Sequence, residues 1–310
     1  MSPALISSIG EFYVSQSVYT SPGALVGHYA ELPEDPAEMA RIVRNLMIHR
    51  VEGPLFGYDI PLDRLRDDAE TRYIDDILRL ILGRDPAPLG QARPVEHRFV
   101  GVCRDMALLL CSFLRHHGVP ARVRSGFADY WGDDGFCWDH MVCEYWSPRR
   151  GWLLADPQLA DLRVTEKFGV SLDPMDVPRD RFVVAAKAWR AIRAGTADPA
   201  NYGLRLPGQS LIGVRFIAGN VRLDLAALNK VETLLWDVWG RRAENDEAMT
   251  EADHRLYDRA AKVTGDDVPF EQVRALFDEC DELRTPRTVL CAGEFHGPVT
   301  VTLRTPDRYA

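Results

Sequence analysis

The chain has 310 residues, 46% hydrophobic and 27% charged, which is typical of a globular protein with a sizeable core. Its net charge of -9, without a basic run, argues against nucleic-acid binding. No stretch reaches the ~18 apolar residues that span a bilayer, and the first residues do not resemble a signal peptide, so we expect no membrane function.

Six cysteines are irregularly spaced along the chain. A disulfide framework is typical of small secreted proteins, whereas cysteines in a chain of this length are usually reduced thiols. We therefore expect a cytoplasmic protein. There is no Gly-rich phosphate loop and no workable set of metal ligands, so we expect no cofactor.

The N-terminal part of the chain predicts two helices and a loop. An amphipathic pattern predicts a helix over 35–50, with Pro36 at its first position, where the missing N–H costs nothing. A second helix is predicted over 61–83. Three prolines and a glycine then predict a loop over 84–94.

The segment 103–117 is apolar on nearly every side, which predicts a buried central helix. Gly118 is suited to a left-handed cap at its end, and Pro120 prevents continuation. The period then changes to two, which predicts strands over 121–127, 138–146 and 152–156, the last two joined by a hairpin turn. The fold class is therefore α+β, a central helix packed on an antiparallel sheet.

The C-terminal part of the chain is predicted to be mainly helical. A further helix is expected over 181–194, and a Pro- and Gly-containing tract over 195–208 then marks the domain boundary. We divide the chain into a first domain, 1–200, and a C-terminal region, 201–310. The hydrophobic pattern of the C-terminal region predicts helices over 220–239, 250–263 and 269–282, followed by closing strands over 288–303.

Cys103 is a candidate nucleophile because it begins the predicted buried helix. Unpaired N–H groups and the partial positive charge at a helix N-terminus stabilise a thiolate, and the same groups can bind an oxyanion. Asp105 is placed to stabilise this first turn through its exposed N–H groups. A buried structural cysteine is the alternative from position alone.

His140 lies within a predicted strand and Asp156 ends the next one. Each residue alone is more often structural. A histidine in a strand is usually a core or surface residue, and an aspartate before a proline usually forms a turn. If the two strands pair antiparallel, Asp156 lies near His140, where a carboxylate fixes the imidazole tautomer and stabilises its protonated form.

Three motifs together resemble the signature of the transglutaminase-like superfamily. They are 101–107 (GVCRDMA), 138–142 (WDHMV) and 152–157 (WLLADP), with 37 residues from cysteine to histidine and 16 from histidine to aspartate. The resemblance covers roughly residues 35 to 190. It implies a papain-like core and a catalytic triad of Cys103, His140 and Asp156.

The resemblance also implies a cysteine-dependent enzyme that cleaves or exchanges an amide bond through a thioester. The expected partner is an amide- or peptide-containing substrate, either a small molecule or a protein. An amide-forming acyltransferase and a non-catalytic binding module remain alternatives. His97 takes the place of the polar side chain that such sites place upstream of the cysteine to bind the oxyanion, and it departs from the usual glutamine.

A polar turn flanked by aromatic residues, 128–137, is a candidate substrate lid. Its aromatic candidates are Tyr130, Trp131, Phe136 and Trp138, although core packing explains at least half of such a cluster. The spacing of Cys137, His140 and Cys143 could suggest zinc. Residues three apart on a strand point to opposite faces, so a strand here argues against a metal site.

Overall fold

The computed structural model describes residues 5–132, 134–206, 209–241 and 243–305. The chain is a mixture of helices and strands, which confirms the α+β prediction. Its α-helices are α1 Ser7–Val14, α2 Pro36–Leu46, α3 Leu62–Asp67, α4 Ile74–Arg84, α5 Cys103–His116, α6 Leu162–Phe168, α7 Ala185–Arg193, α8 Val214–Leu228, α9 Glu251–Val263 and α10 Phe270–Glu279.

The strands are β1 Met47–His49, β2 Phe99–Gly101, β3 Ala121–Ala128, β4 Cys137–Ser147, β5 Gly151–Ala155, β6 Phe182–Val184, β7 Tyr202–Leu206, β8 Gln209–Ile212, β9 Asp237–Val238, β10 Thr288–Cys291 and β11 Val299–Thr302. The largest sheet has the order β6-β3-β4-β7-β8, and β5 also pairs with β4. Strand β7 runs parallel to β4, so this sheet is mixed where an antiparallel one was expected.

Two compact units divide the chain. In its described part, the first unit comprises residues 5–123 and 142–177, and the second comprises 124–141 and 178–305. The predicted division near residue 200 stays a prediction, and Pro207 and Gly208 of the predicted linker lie outside the described residues.

Helix α5 forms the core of the first unit. Every residue from Cys103 to Arg115 is buried, as the apolar pattern predicted. Gly118 takes the left-handed conformation, with φ 73°, and the Val119 amide donates to the Leu114 carbonyl. Beside the helix, β4 and β5 form the predicted hairpin, with Ser147 opposite Gly151. The predicted helix and hairpin are both confirmed.

Two predicted N-terminal helices have different boundaries. Helix α2 ends at Leu46, because Met47–His49 pairs in parallel with Phe99–Gly101. The helix predicted over 61–83 is divided into α3 and α4. Between them the buried Asp68 carboxylate accepts hydrogen bonds from Arg84 Nη1 (2.8 Å) and the Val100 amide (2.9 Å), which fixes a non-helical chain there.

The second unit contains β6 to β11 and α7 to α10. Strand β6 pairs antiparallel with the 126–128 part of β3, so the helix predicted over 181–194 begins only at Ala185. Helices α8, α9 and α10 confirm the helical character of the C-terminal region. The helix predicted over 220–239 is displaced: α8 begins at Val214 and ends at Leu228, and Asp237–Val238 forms a strand.

Candidate active site

Cys103 is the first residue of α5 and is 6% exposed. The chain enters the helix through β2, whose Gly101 carbonyl accepts a hydrogen bond from the Arg50 amide at 2.8 Å. Val102 is extended, so the helix begins abruptly at the cysteine. A side chain in this position lies at the end of the helix where the first backbone N–H groups have no acceptor within the helix.

Asp105 holds the start of α5 in a different way from the one expected. Its Oδ2 accepts a hydrogen bond from the Val102 amide at 2.9 Å, one residue before the helix, and its Oδ1 accepts one from Arg104 Nη1, also at 2.9 Å. Burial raises the pKa of this carboxyl, and Arg104 opposes the effect. The bond to Val102 fixes the backbone immediately before Cys103.

Gly101 is required at its position by a close approach. A Cβ there would lie 2.8 Å from Asp105 Oδ2 and 3.0 Å from Phe99 Cε1. Both distances are shorter than an ordinary contact of about 3.5–4.0 Å. The glycine before the cysteine therefore lets the Asp105 carboxylate pack against the chain.

Asp156 directly follows β5 in the first unit and is 1% exposed. Its Oδ1 accepts a hydrogen bond from the Gln158 amide at 2.9 Å, and its own amide donates to the Pro174 carbonyl at 2.8 Å. Asp156 thus caps a short 3₁₀ turn, Pro157–Ala160, which is the structural role expected of an aspartate before proline. This bond orients the carboxyl group through Oδ1.

A buried polar group supports the turn after Asp156. Gln158 Nε2 donates to Glu52 Oε1 at 2.8 Å, and Glu52 Oε2 accepts from Arg44 Nη2 at 2.9 Å. Sequence reasoning missed these partners because Glu52 is more than a hundred residues from Gln158. The turn itself had a local signal, because an aspartate side chain commonly accepts a hydrogen bond from the backbone amide two residues later.

His140 lies on the 137–141 part of β4, in the second unit, and is 3% exposed. Three aromatic rings of the same unit surround its imidazole. The ring centroids of Trp131, Tyr130 and Phe182 lie 5.3, 6.0 and 6.3 Å from that of His140, all in edge-to-face arrangements. The imidazole is therefore buried against the edges and faces of aromatic rings.

Residues 83–157 match the family model described as the transglutaminase-like superfamily. The matched segment includes Cys103, His140 and Asp156. We refer to these residues, which are similar to that family, as the transglutaminase-like segment. A comparison with curated proteins finds no match.

We compare two of the solved structures that are similar to the chain. One is a proposed cysteine protease from Cytophaga hutchinsonii, with 17% identity, a TM-score of 0.34 and coverage of 58% of this chain and 46% of that one. The other is red sea bream transglutaminase, with 19% identity, a TM-score of 0.29 and coverage of 49% of this chain and 26% of that one. This chain thus covers less than half the length of either protein.

The aromatic lid candidates of the transglutaminase-like segment fall into two groups. Tyr130 and Phe136 are each 2% exposed, as expected of core residues, whereas Trp131 and Trp138 are half-buried. Arg205 stacks over the Phe136 ring, with its guanidinium carbon 3.8 Å from the ring centroid. Asp133 of the same turn lies outside the described residues. A lid role for these residues stays a prediction.

His97 lies in a short 3₁₀ turn, Val95–His97, before β2. Its side chain is 44% exposed, and Nδ1 lies 3.7 Å from Asp85 Oδ2. His97 and Cys103 belong to the same unit, six residues apart. The role of His97 in binding an oxyanion stays a prediction.

The zinc alternative concerned Cys137, His140 and Cys143, which all lie on β4. Strand geometry directs His140 away from the face of Cys143. Burial raises the pKa of the Cys143 thiol well above its ordinary value, and the neighbouring Cys111 adds to the effect, which disfavours a thiolate ligand. Over the described ranges, no three potential ligands are grouped as a metal would require.

In the part of the chain that the structure describes, no helix has both the length and the apolar character needed to cross a membrane.

Proposed function

We propose that the chain is a cysteine-dependent acyl-transfer enzyme that cleaves or exchanges an amide bond through a thioester on Cys103. The observation that carries this proposal is the position of Cys103 as the first residue of the buried helix α5, within the transglutaminase-like segment. In the proposed triad Cys103 is the nucleophile, His140 the acid and base, and Asp156 the carboxylate that orients the histidine.

The proposed reaction has two halves. The Cys103 thiolate attacks the amide carbonyl, and the C–N bond of the tetrahedral intermediate breaks while His140 donates a proton to the departing amine. Water or a second amine then attacks the thioester. His140 accepts the proton of this nucleophile, and the C–S bond breaks to release the acid or the new amide and regenerate the thiolate. The amides of the first turn of α5 are candidates for binding the oxyanion in both halves.

The environments of the two partner residues support these roles. The first oxygen of Asp156 is engaged by the Gln158 amide, which restricts the rotation of the carboxyl group. Burial of the His140 ring among aromatic side chains reduces the number of orientations that it can adopt. Both features favour a preorganised arrangement, which is the main requirement of a catalytic histidine.

We propose hydrolysis or deamidation as the principal outcome, because water is always available to attack a thioester. Net transfer requires a site that binds an amine and excludes water. The aromatic surroundings of His140 support transfer as a second candidate, since they limit the access of water to the base. The substrate class is an amide- or peptide-containing compound. The six cysteines all lie among the described residues and none of them forms a disulfide, which supports a reducing compartment such as the cytoplasm.

The test is to trap the thioester. The chain is incubated with a panel of small amides and peptides, quenched at low pH and analysed by intact mass and peptide mapping. We expect an acyl adduct on the peptide containing Cys103, absent in Cys103→Ala. Amine release that proceeds without an adduct and is unchanged in Cys103→Ala would exclude the mechanism.

Added hydroxylamine then separates the two outcomes. A hydroxamate formed in proportion to hydroxylamine, at the expense of the free acid, indicates that the site accepts an amine. A free acid formed without competition indicates hydrolysis. Cys280→Ala is a matched control because Cys280 is 5% exposed, as buried as Cys103, and lies outside the transglutaminase-like segment.

A further inference from the structure

Residues 49–52, at the end of β1, form a tight bend beside the strand that precedes Cys103. A hydrogen bond of 2.8 Å between its last amide and its first carbonyl closes the bend. The Arg50 amide donates to the Gly101 carbonyl, also at 2.8 Å, two residues before Cys103. The bend is therefore fixed to the backbone from which α5 begins.

Glu52, the last residue of the bend, is 4% exposed and bonded through both of its carboxylate oxygens. Its Oε2 accepts from Arg44 Nη2 at 2.9 Å and from the His49 amide at 3.0 Å, and its Oε1 accepts from Gln158 Nε2 at 2.8 Å. Arg44 also reaches α5, where its Nη1 lies 3.5 Å from Met106 Sγ. Because charge-assisted hydrogen bonds are strong and burial strengthens them further, Glu52 is a fixed acceptor for Gln158.

Gln158 is bonded both through its backbone and through its side chain. Its amide donates to Asp156 Oδ1 at 2.9 Å, and its side chain donates to Glu52. In the part of the chain that the structure describes, Gln158 Oε1 is shielded from solvent and has no hydrogen-bond partner. A buried polar atom without a partner costs stability, so an apolar side chain would suit packing better. The bond to Glu52 is what an amide side chain adds here.

The two bonds of Gln158 have different consequences. The backbone bond orients the Asp156 carboxyl group within its own turn, Pro157–Ala160, whereas the side-chain bond fixes that turn to the bend beside α5. We propose that Gln158 is a positioning residue for Asp156, which holds the carboxyl group in place relative to Cys103 through Glu52. The inference rests on the proposed function for its catalytic consequence.

The first test observes the turn without catalysis. Gln158→Met removes the side-chain bond but keeps a similar volume and the backbone amide that donates to Asp156. Amide hydrogen exchange of the peptide covering 157–160, followed by mass spectrometry, should be about tenfold faster, because bonds to charged groups are among the stronger ones. Gln16→Met is the matched control. Gln16 Nε2 donates to the Ser112 carbonyl at 2.9 Å, its Oε1 is also buried without a partner, and its loss should leave this peptide unchanged.

The second test follows the hydrolysis of p-nitrophenyl acetate, which acylates a cysteine without requiring a particular amide. The ester C–O bond breaks to release p-nitrophenolate, and water then attacks the Cys103 thioester with His140 as the base. Turnover that persists in Cys103→Ala is subtracted as background. We expect Gln158→Met to lower kcat by about tenfold, since displacements of about 1 Å in an active site cost up to about a hundredfold. Gln16→Met should match the unchanged protein.

A double substitution separates positioning from a general effect on the fold. If Gln158 acts through Asp156, Gln158→Met should lower kcat by less than about twofold when it is added to Asp156→Asn, because residues that act as a unit are not additive. A loss of about tenfold in both backgrounds would show that Gln158 does not act through Asp156 and would overturn the inference.

The outcomes also separate this inference from the proposed function. Faster exchange in Gln158→Met, with kcat unaltered in Asp156→Asn, supports the holding of the turn and contradicts the proposed triad. A kcat that falls in Asp156→Asn, with exchange and kcat both unaltered in Gln158→Met, overturns the positioning role alone. If Gln158→Met does not fold, Gln158→Asn provides the same test, because its side chain is one methylene shorter. Unaltered exchange in a folded Gln158→Asn would then overturn the inference.

Discussion

Replacement of Gly101 by alanine tests how the chain is packed immediately before the candidate nucleophile. The added methyl group would lie 2.8 Å from Asp105 Oδ2 and 3.1 Å from Asp105 Cβ. Asp105 cannot withdraw easily, because its two oxygens are bonded to the Val102 amide and to Arg104. Gly101→Ala should therefore strain the chain or break the bond from Val102.

The magnitude follows from two contributions. Inserting a methyl group into a packed interior costs about 1–3 kcal/mol. Leaving the Val102 amide without its acceptor costs about 1–3 kcal/mol more, because the amide is buried. We expect the free energy of unfolding to fall by about 2–5 kcal/mol, a large part of the 5–15 kcal/mol typical of folded proteins. Because the strain lies two residues from Cys103, its alkylation by iodoacetamide should also slow.

The assay is urea unfolding, with the m-value compared to confirm that the same transition is measured. Gly83→Ala is the matched control. Gly83 lies in α4, and no atom lies within 4 Å of a Cβ at that position. This substitution should raise the free energy of unfolding by about 0.5–1 kcal/mol. A Gly101→Ala protein as stable and as reactive as the unchanged chain would refute the packing argument.

Three other predictions concern buried charged groups. Asp139→Asn should be more stable than the unchanged chain at pH 8 but not at pH 4. Burial raises the pKa of the Asp139 carboxyl from 3.8 to about 7, so ionisation of this group destabilises the folded chain increasingly between these two pH values and not below them. After allowing for the partial exposure of Asp139, the destabilisation at pH 8 is about 2 kcal/mol. Urea unfolding at both pH values measures the difference, and a gap independent of pH would contradict it. Asp156→Asn should lose about 10²–10⁴-fold in turnover yet remain folded, because its amide oxygen still accepts from Gln158; full activity would show that the orienting carboxylate is misassigned. Glu144→Leu should lower the free energy of unfolding by about 3–5 kcal/mol, since it leaves Arg122 buried and unpaired, and Glu144→Gln should cost less; equal costs in urea unfolding would argue against this account.

Local patterns predicted the elements closest to the candidate site. The end of the buried helix that begins at Cys103 was predicted to within one residue. Its apolar pattern and the glycine that ends it, Gly118, are both local features of the sequence. The hairpin of β4 and β5 was predicted for the same reason, since alternation and turn residues are contiguous. Cys103 and Asp156 were each predicted to lie at an element boundary, and both do.

Elements that depend on distant partners were predicted poorly. Helix α8 begins at Val214 because Asp246, some thirty residues later, accepts hydrogen bonds at 2.8 Å from the amides of Val214 and Arg215. The hydrophobic pattern of α8 does not indicate this cap, because the residue that accepts the hydrogen bonds lies outside the helix. The parallel pairing of β7 with β4 joins segments about sixty residues apart, and periodicity gives no information on strand partners.

The residues that support the candidate site were also hidden by distance. The motifs identify Cys103, His140 and Asp156 directly, but Gln158 is bonded to Glu52, 106 residues earlier, and the Gly101 carbonyl to the Arg50 amide, some fifty residues earlier. Buried polar groups acquire partners only when the chain has folded, so composition and spacing could not identify these pairs.

The pairing of β3 and β4 limits how the matched segment can be isolated. Residues 126–128 of β3 bond to β6 and residues 137–138 of β4 bond to β7, yet both partner strands lie beyond residue 157. A fragment of 83–157 would therefore carry unsatisfied strand edges and bare peptide groups, which promote self-association. Recombinant fragments should extend past β8, to residue 212 or later, and we expect shorter ones to accumulate as insoluble aggregates.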